Sequence, residues 1–275
     1  MGQFNRLTVC GESESGVYLD AGDHPPILLP NRYVPMSTKT GDELSVFVYL
    51  DSDDRPIATT EIPTAQVGEV KSLKCIAVNK IGAFLDWGLP KDLLVPFAEQ
   101  HINMQEGRTY LVYVYIDKAS HRIVASSKLD RHLDKKPVKY QKGQEVVLTV
   151  RRKTDLGYNL VVNNDHNGLL FDSEVTTPLK NGTQLTGYIK NVRDDGKIDL
   201  TLQKPITIAK NEVASAILKQ LKDNDGFLAL NDKSKPELIY KLFKVSKATF
   251  KKTLGKLYKE RKIRIETNGI YLNKK

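Results

Sequence analysis

Gly82-Ala83-Phe84-Leu85-Asp86-Trp87 holds the middle glycine of a set that the chain repeats three times. Gly68, Gly82 and Gly107 stand 14 and 25 residues apart, and the same intervals separate Gly2, Gly16 and Gly41, and Gly143, Gly157 and Gly182. Between the second and third glycine each copy has an apolar step: Leu28-Leu29, Leu94-Val95 and Leu169-Leu170. After the third glycine comes an alternating run: Leu44-Val46-Val48, Tyr110-Val112-Val114 and Leu185-Gly187-Ile189. A period of 66 to 75 residues is one small domain used three times, too long for a stacked solenoid unit.

The copy around Gly82 reads as strands throughout. Val70 to Val78, Gly82 to Trp87, Leu93 to Phe97, Thr109 to Ile116 and Arg122 to Ser126 form five, with room for a helical turn between Ala98 and Gly107. Five strands with that insertion describe an OB-fold barrel, and Gly82 is expected to let the chain turn a barrel corner. Alternation puts Tyr110, Val112 and Val114 inside, and Tyr113 and Tyr115 outside. The matching outward positions are Phe47 and Tyr49 in the first copy, and Tyr188 and Lys190 in the third. Such rings either stack on bases or pack on a neighbouring barrel, and packing is the expected role because barrels on short linkers must touch. Trp87, the only tryptophan, is expected to pack at a barrel edge.

Charge separates the copies. The chain carries net +9, yet residues 1–66 hold 4 basic against 10 acidic side chains, net −6. Residues 67–136 carry +3, residues 137–204 +2 and residues 205–275 +10. A basic C-terminal segment predicts a polyanionic partner, which the acidic first copy would repel. There is no apolar run of membrane length, and Met1 to Arg6 lacks the apolar stretch of a signal peptide. Cys10 and Cys75 occupy non-equivalent positions, so neither a disulfide framework nor a zinc site is expected; both read as small half-buried side chains in a reducing cytoplasm.

The run from Val67-Gly68-Glu69-Val70 through Ile81-Gly82-Ala83-Phe84-Leu85-Asp86 and Gly107-Arg108 to Tyr113-Val114-Tyr115-Ile116-Asp117 and Arg122-Ile123-Val124-Ala125-Ser126 resembles the S1 RNA-binding domain. That resemblance implies that Phe84 stacks on RNA and that Arg122 lies on the same face. An exposed ring accepts any base, and an arginine adds phosphate or cation–π contact. The copies depart from the pattern unevenly: the first matches through Tyr18 alone, and the second has Pro96 where the family often has histidine. The third has Asn159 at the stacking position, with Tyr158 adjacent and Phe171 on strand three. Arg151, Arg152 and Lys153, with Tyr188, Lys190 and Arg193, complete its candidate contacts. The segment Leu129 to Tyr140 reads as a solvated connector, with a short helix ended by Pro137.

Beyond Pro205 the period changes from two to 3.6. Val213, Ile217 and Leu221 make one helical stripe, ended by Asp223-Asn224-Asp225-Gly226. Ser234 and Glu237 read as a capping box for a second helix, and Ser246 as the cap of a third. Two alternating runs joined across Asn268-Gly269 read as a hairpin. Three helices and a hairpin make a winged helix. On its third helix Phe250, Leu254 and Leu257 point to the core, while Ala248, Lys252, Gly255, Lys256 and Lys259 point out. With Lys247, Lys251, Lys262 and Arg264 these form a cationic surface. The outward stripe lacks Arg, Asn and Gln, the usual readers of base edges, so backbone contact is expected.

Asp232-Lys233-Ser234, Pro236-Glu237, Ser246-Lys247, Phe250-Lys251-Lys252, Gly255 and Leu257-Tyr258-Lys259 resemble the C-terminal signature of the conserved virulence factor B family of bacteria. The resemblance implies three S1-like barrels and a winged helix, RNA binding, and an influence on gene expression after transcription. The expected fold is thus mainly β with an α+β C-terminal domain: S1-like OB barrels over residues 1–64, 65–130 and 138–204, and a winged helix over 205–275. The expected function is non-catalytic binding of single-stranded RNA by barrels two and three and the winged helix, with no cofactor or metal. The alternative is a transcriptional regulator that grips duplex DNA through the winged helix. A nuclease reading needs clustered carboxylates or acid–base pairs. The five histidines are scattered, and Asp51, Asp117 and Asp194-Asp195 read as turn residues.

Overall fold

Each glycine set becomes the same pair of backbone hydrogen bonds. The computed structural model of the chain describes residues 1–243 and 245–273, leaving aside the side chains of 206–212. The first glycine donates to the fourth strand: Gly2 to Val48 at 2.7 Å, Gly68 to Val114 at 2.8 Å and Gly143 to Ile189 at 2.7 Å. The third donates to the first strand: Gly41 to Val9, Gly107 to Cys75 and Gly182 to Val150, at 2.8, 2.8 and 2.7 Å. Val9, Cys75 and Val150 are the points where the first strand slips register against the second. A bulge there bends the strand, as closure of so small a barrel demands. The middle glycine answers to a different need from the corner expected of it. A Cβ at Gly16, Gly82 or Gly157 would overlap the carbonyl oxygen of Leu29, Val95 or Leu170 on the adjacent strand. It is a site of close backbone approach.

The first barrel comprises β1 (Phe4–Ser13), β2 (Gly16–Ala21), β3 (His24–Pro30), β4 (Glu43–Leu50) and β5 (Pro56–Thr59). The second comprises β6 (Val70–Val78), β7 (Gly82–Asp86), β8 (Leu93–Pro96), β9 (Thr109–Ile116) and β10 (Ile123–Ser126). The third comprises β11 (Glu145–Thr154), β12 (Gly157–Val162), β13 (His166–Phe171), β14 (Gln184–Val192) and β15 (Ile198–Thr201). Each sheet closes in the order 1-2-3-5-4, with only the third and fifth strands parallel. This is the OB arrangement expected. The helical turn of the second barrel is a single 3-10 turn at Phe97–Glu99.

Side chains that face out of one barrel become the core between two. Phe47 and Tyr49 are 0% and 4% exposed and pack with Trp87, itself 3% exposed, and with Leu73 and Leu93 of the second barrel. The packing role expected of these rings is the one observed. The segment after β10 departs from the solvated connector expected. It makes a 3-10 turn at Leu129–Arg131, and Leu129 and Leu133 are buried with Val70 and Val161, between barrels two and three. His132 stacks on Tyr113 at 4.7 Å and leans on Tyr115 at 4.5 Å. Apolar residues four apart in sequence sealed this joint, while the neighbouring charges suggested a loop. Cys75 is buried, but Cys10 is exposed rather than half-buried.

The C-terminal unit begins with α1 (Ile206–Asp223), followed by β16 (Phe227–Leu228), α2 (Pro236–Phe243), α3 (Lys247–Lys259), β17 (Ile263–Glu266) and β18 (Gly269–Leu272). Its sheet runs β16-β18-β17. Ile217, Leu221, Ile239, Phe250, Leu254, Leu257, Ile263 and Ile270 fill one core. Ser246 caps α3 as expected, accepting from Thr249 N–H at 3.2 Å. Ser234 is not the cap of α2. Its hydroxyl accepts from Asn231 N–H at 2.9 Å and closes the preceding turn, while Pro236 opens the helix. The wing turns at Thr267-Asn268 rather than Asn268-Gly269, because Gly269 already pairs with Glu266.

Candidate nucleic-acid interface

Three surfaces carry the residues singled out by sequence. The first is a cleft of about 330 Å³ on barrel two, lined by Phe84, Ile81, Trp87, Lys91 and Arg122, with Tyr49 of barrel one as a side wall. β7 presents Phe84 half-buried on its outer face, since Ala83 and Leu85 point inward. Trp87 Nε1–H donates to Lys91 O at 2.6 Å and so fixes the loop that carries Lys91. Arg122 and Lys91 do not face solvent as free cations. Both donate to Asp54, on the turn between β4 and β5 of barrel one; the Lys91 contact is 3.2 Å long. Those two donors hold the Asp54 carboxyl below the usual aspartate range, Arg122 contributing most.

On barrel three a cleft of about 590 Å³ is lined by Arg151, Arg152, Asn159, Asn167, Arg193 and Lys197, among others. Here too the cations are engaged. Arg151 makes two 2.6 Å bonds to Asp130 and one of 3.0 Å to Asn167. Arg193 makes two bonds to Asp199, of 3.0 and 2.7 Å, and Lys190 reaches Glu174 at 2.6 Å. Arg152 is exposed and has no ion pair among the described residues. Two aromatic candidates are not available. Tyr158 is 3% exposed, and its hydroxyl accepts from Leu179 N–H. Tyr188 is 6% exposed, and its hydroxyl donates to Glu145 at 3.2 Å. Rings so covered have no face for a base. The period-two reading placed Tyr188 correctly on the outer side of β14, but burial there is decided by what packs over the strand. Tyr158 fills the inner side of β12, one residue from the half-buried Asn159. Phe171 stays half-buried at the end of β13.

Lys197 is a residue the sequence reading missed. Arg193 N–H bonds Lys197 O at 2.9 Å just as Asp117 N–H bonds Arg122 O at 2.9 Å, so Lys197 holds in barrel three the place of Arg122. The turn pattern Arg193-Asp194-Asp195-Gly196 carried that signal. The carboxylates of these turns behave as turn ligands: Asp51 accepts from the N–H groups of Asp53 and Arg55, Asp117 from Ser120, and Asp195 from Lys197. Among the described residues no three His, Cys, Asp or Glu side chains converge as a metal site.

The third surface is the outer face of α3. Phe250, Thr253, Leu254 and Leu257 are buried, and that fixes Ala248, Lys251, Lys252, Lys256 and Lys259 on the exposed side. Lys251 approaches Asp232 at 3.5 Å and Lys256 approaches Glu260 at 3.9 Å. Lys262 on the wing holds Glu260 at 2.7 Å, and Arg264 lies 5.6 Å from the Tyr271 ring centre. Lys247 leans back to Lys233 O at 3.2 Å. Lys252 and Lys259 have no ion pair among the described residues. Tyr258, 56% exposed, stands on the same helix and is a ring the sequence reading did not single out.

Residues 215–272 match the model of the CvfB-like winged helix domain, and residues 1–61 match that of the S1 domain. An uncharacterised Bacillus subtilis protein, YitL, is 27% identical over 99% of this chain and 94% of its own length. Conserved virulence factor B of Staphylococcus aureus is 27% identical over 86% of this chain and 81% of its own. A crystal structure of a multidomain protein with nucleic acid binding domains from Streptococcus pneumoniae is 25% identical, covers 99% of this chain and 98% of its own, and superposes with a TM-score of 0.42. The resemblance read from the C-terminal signature therefore holds over most of the length: the chain is similar to conserved virulence factor B and carries an S1 domain and a CvfB-like winged helix, the modules of a nucleic-acid-binding protein.

Proposed function

We propose that the chain is a non-catalytic protein of the bacterial cytoplasm that binds single-stranded RNA and acts on gene expression after transcription. The observation that carries this reading is the outer face of α3, where Lys252 and Lys259 stand exposed within a segment of net +10. Fixed cations on a rigid helix take up phosphates and release counterions. Tyr258 adds an exposed aromatic ring on the same helix, and single-stranded bases stack on such faces where paired bases cannot. Duplex DNA read in sequence is disfavoured because α3 contains no Arg, Asn or Gln. In this reading the barrel-two cleft around Phe84 and the barrel-three cleft around Arg152 are secondary contacts, since most of their cations already hold carboxylates.

The test is competition. Single-stranded RNA should displace a labelled RNA oligonucleotide from the full chain at concentrations where duplex DNA of equal length does not. Binding should weaken steeply with salt. Binding that is indifferent to salt, or preference for the duplex, contradicts the proposal.

A further inference from the structure

We infer that barrel one restrains barrel two: the Asp54 turn occupies the phosphate-binding cations of the Phe84 cleft and must be displaced before nucleic acid can engage there. This rests on the RNA-binding reading above and concerns how one of its sites is regulated.

Four observations support it. Arg122 and Lys91 are the two cations lining the cleft, and both bond the same carboxylate. That carboxylate comes from another barrel, 68 residues away in sequence from Arg122, so it is no part of the hairpin that carries the arginine. A guanidinium fork fits a carboxylate and a phosphate with the same geometry, so the two compete for one set of donors. Finally, the groups remain partly open to water, with side-chain exposures of 51% for Arg122, 35% for Lys91 and 38% for Asp54. An ion pair that wet is weak and exchangeable. It can hold the cleft against non-specific polyanions and still give way to a strand whose base stacks on Phe84. The turn is braced by its own hydrogen bonds. Asp51 accepts from Asp53 and Arg55 N–H, and Arg55 bonds both Asp51 and Asp53, so Asp54 is presented rather than wandering. The barrels beneath are joined by the Phe47–Trp87 core, which does not depend on Asp54.

Asp54→Asn is the discriminating variant. Asp54 has a left-handed backbone, φ 59°, which asparagine also tolerates, so the turn persists without its charge. Binding of a labelled single-stranded oligouridylate to the full chain would be measured for wild type, Asp54→Asn, Arg122→Gln and the double variant. Thermal melting and Trp87 emission would check that the barrels stay docked. Asp54→Asn should bind about two- to tenfold more tightly at low salt, as expected on releasing exposed ion pairs. Its log–log salt slope should steepen by about 0.7 for each phosphate gained. In the double variant most of that gain should vanish. Wild-type binding unchanged by Asp54→Asn, or a gain that survives Arg122→Gln, overturns the restraint while leaving RNA binding intact. Failure of every protein to bind overturns the RNA reading and this inference with it.

Discussion

Phe47 of the first barrel meets Trp87 of the second edge to face, with ring centres 5.8 Å apart and planes at 80°. Both rings are essentially buried, so two modules that look independent in sequence share one core. Phe47→Ala should therefore destabilise the chain by about 3–5 kcal/mol, the range for emptying a buried phenylalanine site. The emission of Trp87 should move to longer wavelength as its cover is lost. Denaturant unfolding followed by tryptophan fluorescence measures both; an unchanged midpoint would mean that the barrels do not rely on this contact.

Gly82→Ala and Gly107→Ala separate two uses of glycine. Gly107 sits at φ 78° with nothing within 4 Å of an added Cβ, so the substitution meets backbone strain alone. Gly82 adds overlap with the Val95 carbonyl, a backbone atom that cannot swing away. Both substitutions should destabilise by more than about 1 kcal/mol, as for alanine at positive φ, and Gly82→Ala should be the worse. Equal melting temperatures would show that the strand can shift to admit the methyl group.

Lys252→Gln with Lys259→Gln should lower RNA affinity for all sequences alike and flatten the log–log salt dependence by about 1.4, or 0.7 for each lost phosphate contact. Filter binding across a salt series measures the slope. An unchanged slope would place the main phosphate contacts elsewhere.

Phe84→Ala should weaken binding by no more than about 1–3 kcal/mol, the worth of one stacked base. Tyr158→Phe should leave RNA affinity unaltered, because the ring is buried and only the hydroxyl contact to Leu179 N–H is lost. A Tyr158→Phe variant defective in binding but normal in stability would show that the Tyr158 hydroxyl contributes to RNA contact.

His132 predicts a pH dependence. Burial lowers its pKa from the ordinary 6.5, an effect that nearby Glu99 opposes only in part. Among the described residues its Nε2 and Glu99 Oε2, 4.0 Å apart, have no hydrogen-bond partner. Because the folded value lies below the unfolded one, the unfolded chain binds more protons near pH 6, and stability falls as pH drops through 6.5. Melting temperature should decline between pH 7.5 and 5.5. His132→Phe, which keeps the stack on Tyr113, should decline less. Equal slopes would remove His132 from the effect.

Much of the fold is written locally. The glycine spacing, the period-two runs and the Ser246 cap each act over a few residues or within one barrel, so they can be read from the chain. Where the reading failed, the deciding partner was distant or the choice was between near-equal local options. Ser234 closes a turn with Asn231 instead of capping α2, and Gly269 joins β18 instead of the turn. The charged connector hid Leu129 and Leu133, whose cover comes from Val70 and Val161.

By itself the sequence determined three OB barrels, a winged helix and a lysine face on α3, because hydrophobic periodicity selects both the element and the side that is buried. Only the tertiary structure decided which of the candidate groups are free. Arg122 is matched by Asp54 and Arg151 by Asp130, while Tyr158 and Tyr188 are covered. Periodicity reports on the face of a single strand or helix. Ion pairing and the cover over an outward ring depend on which elements come together in space, and for Asp54 and Arg122 that meeting spans 68 residues.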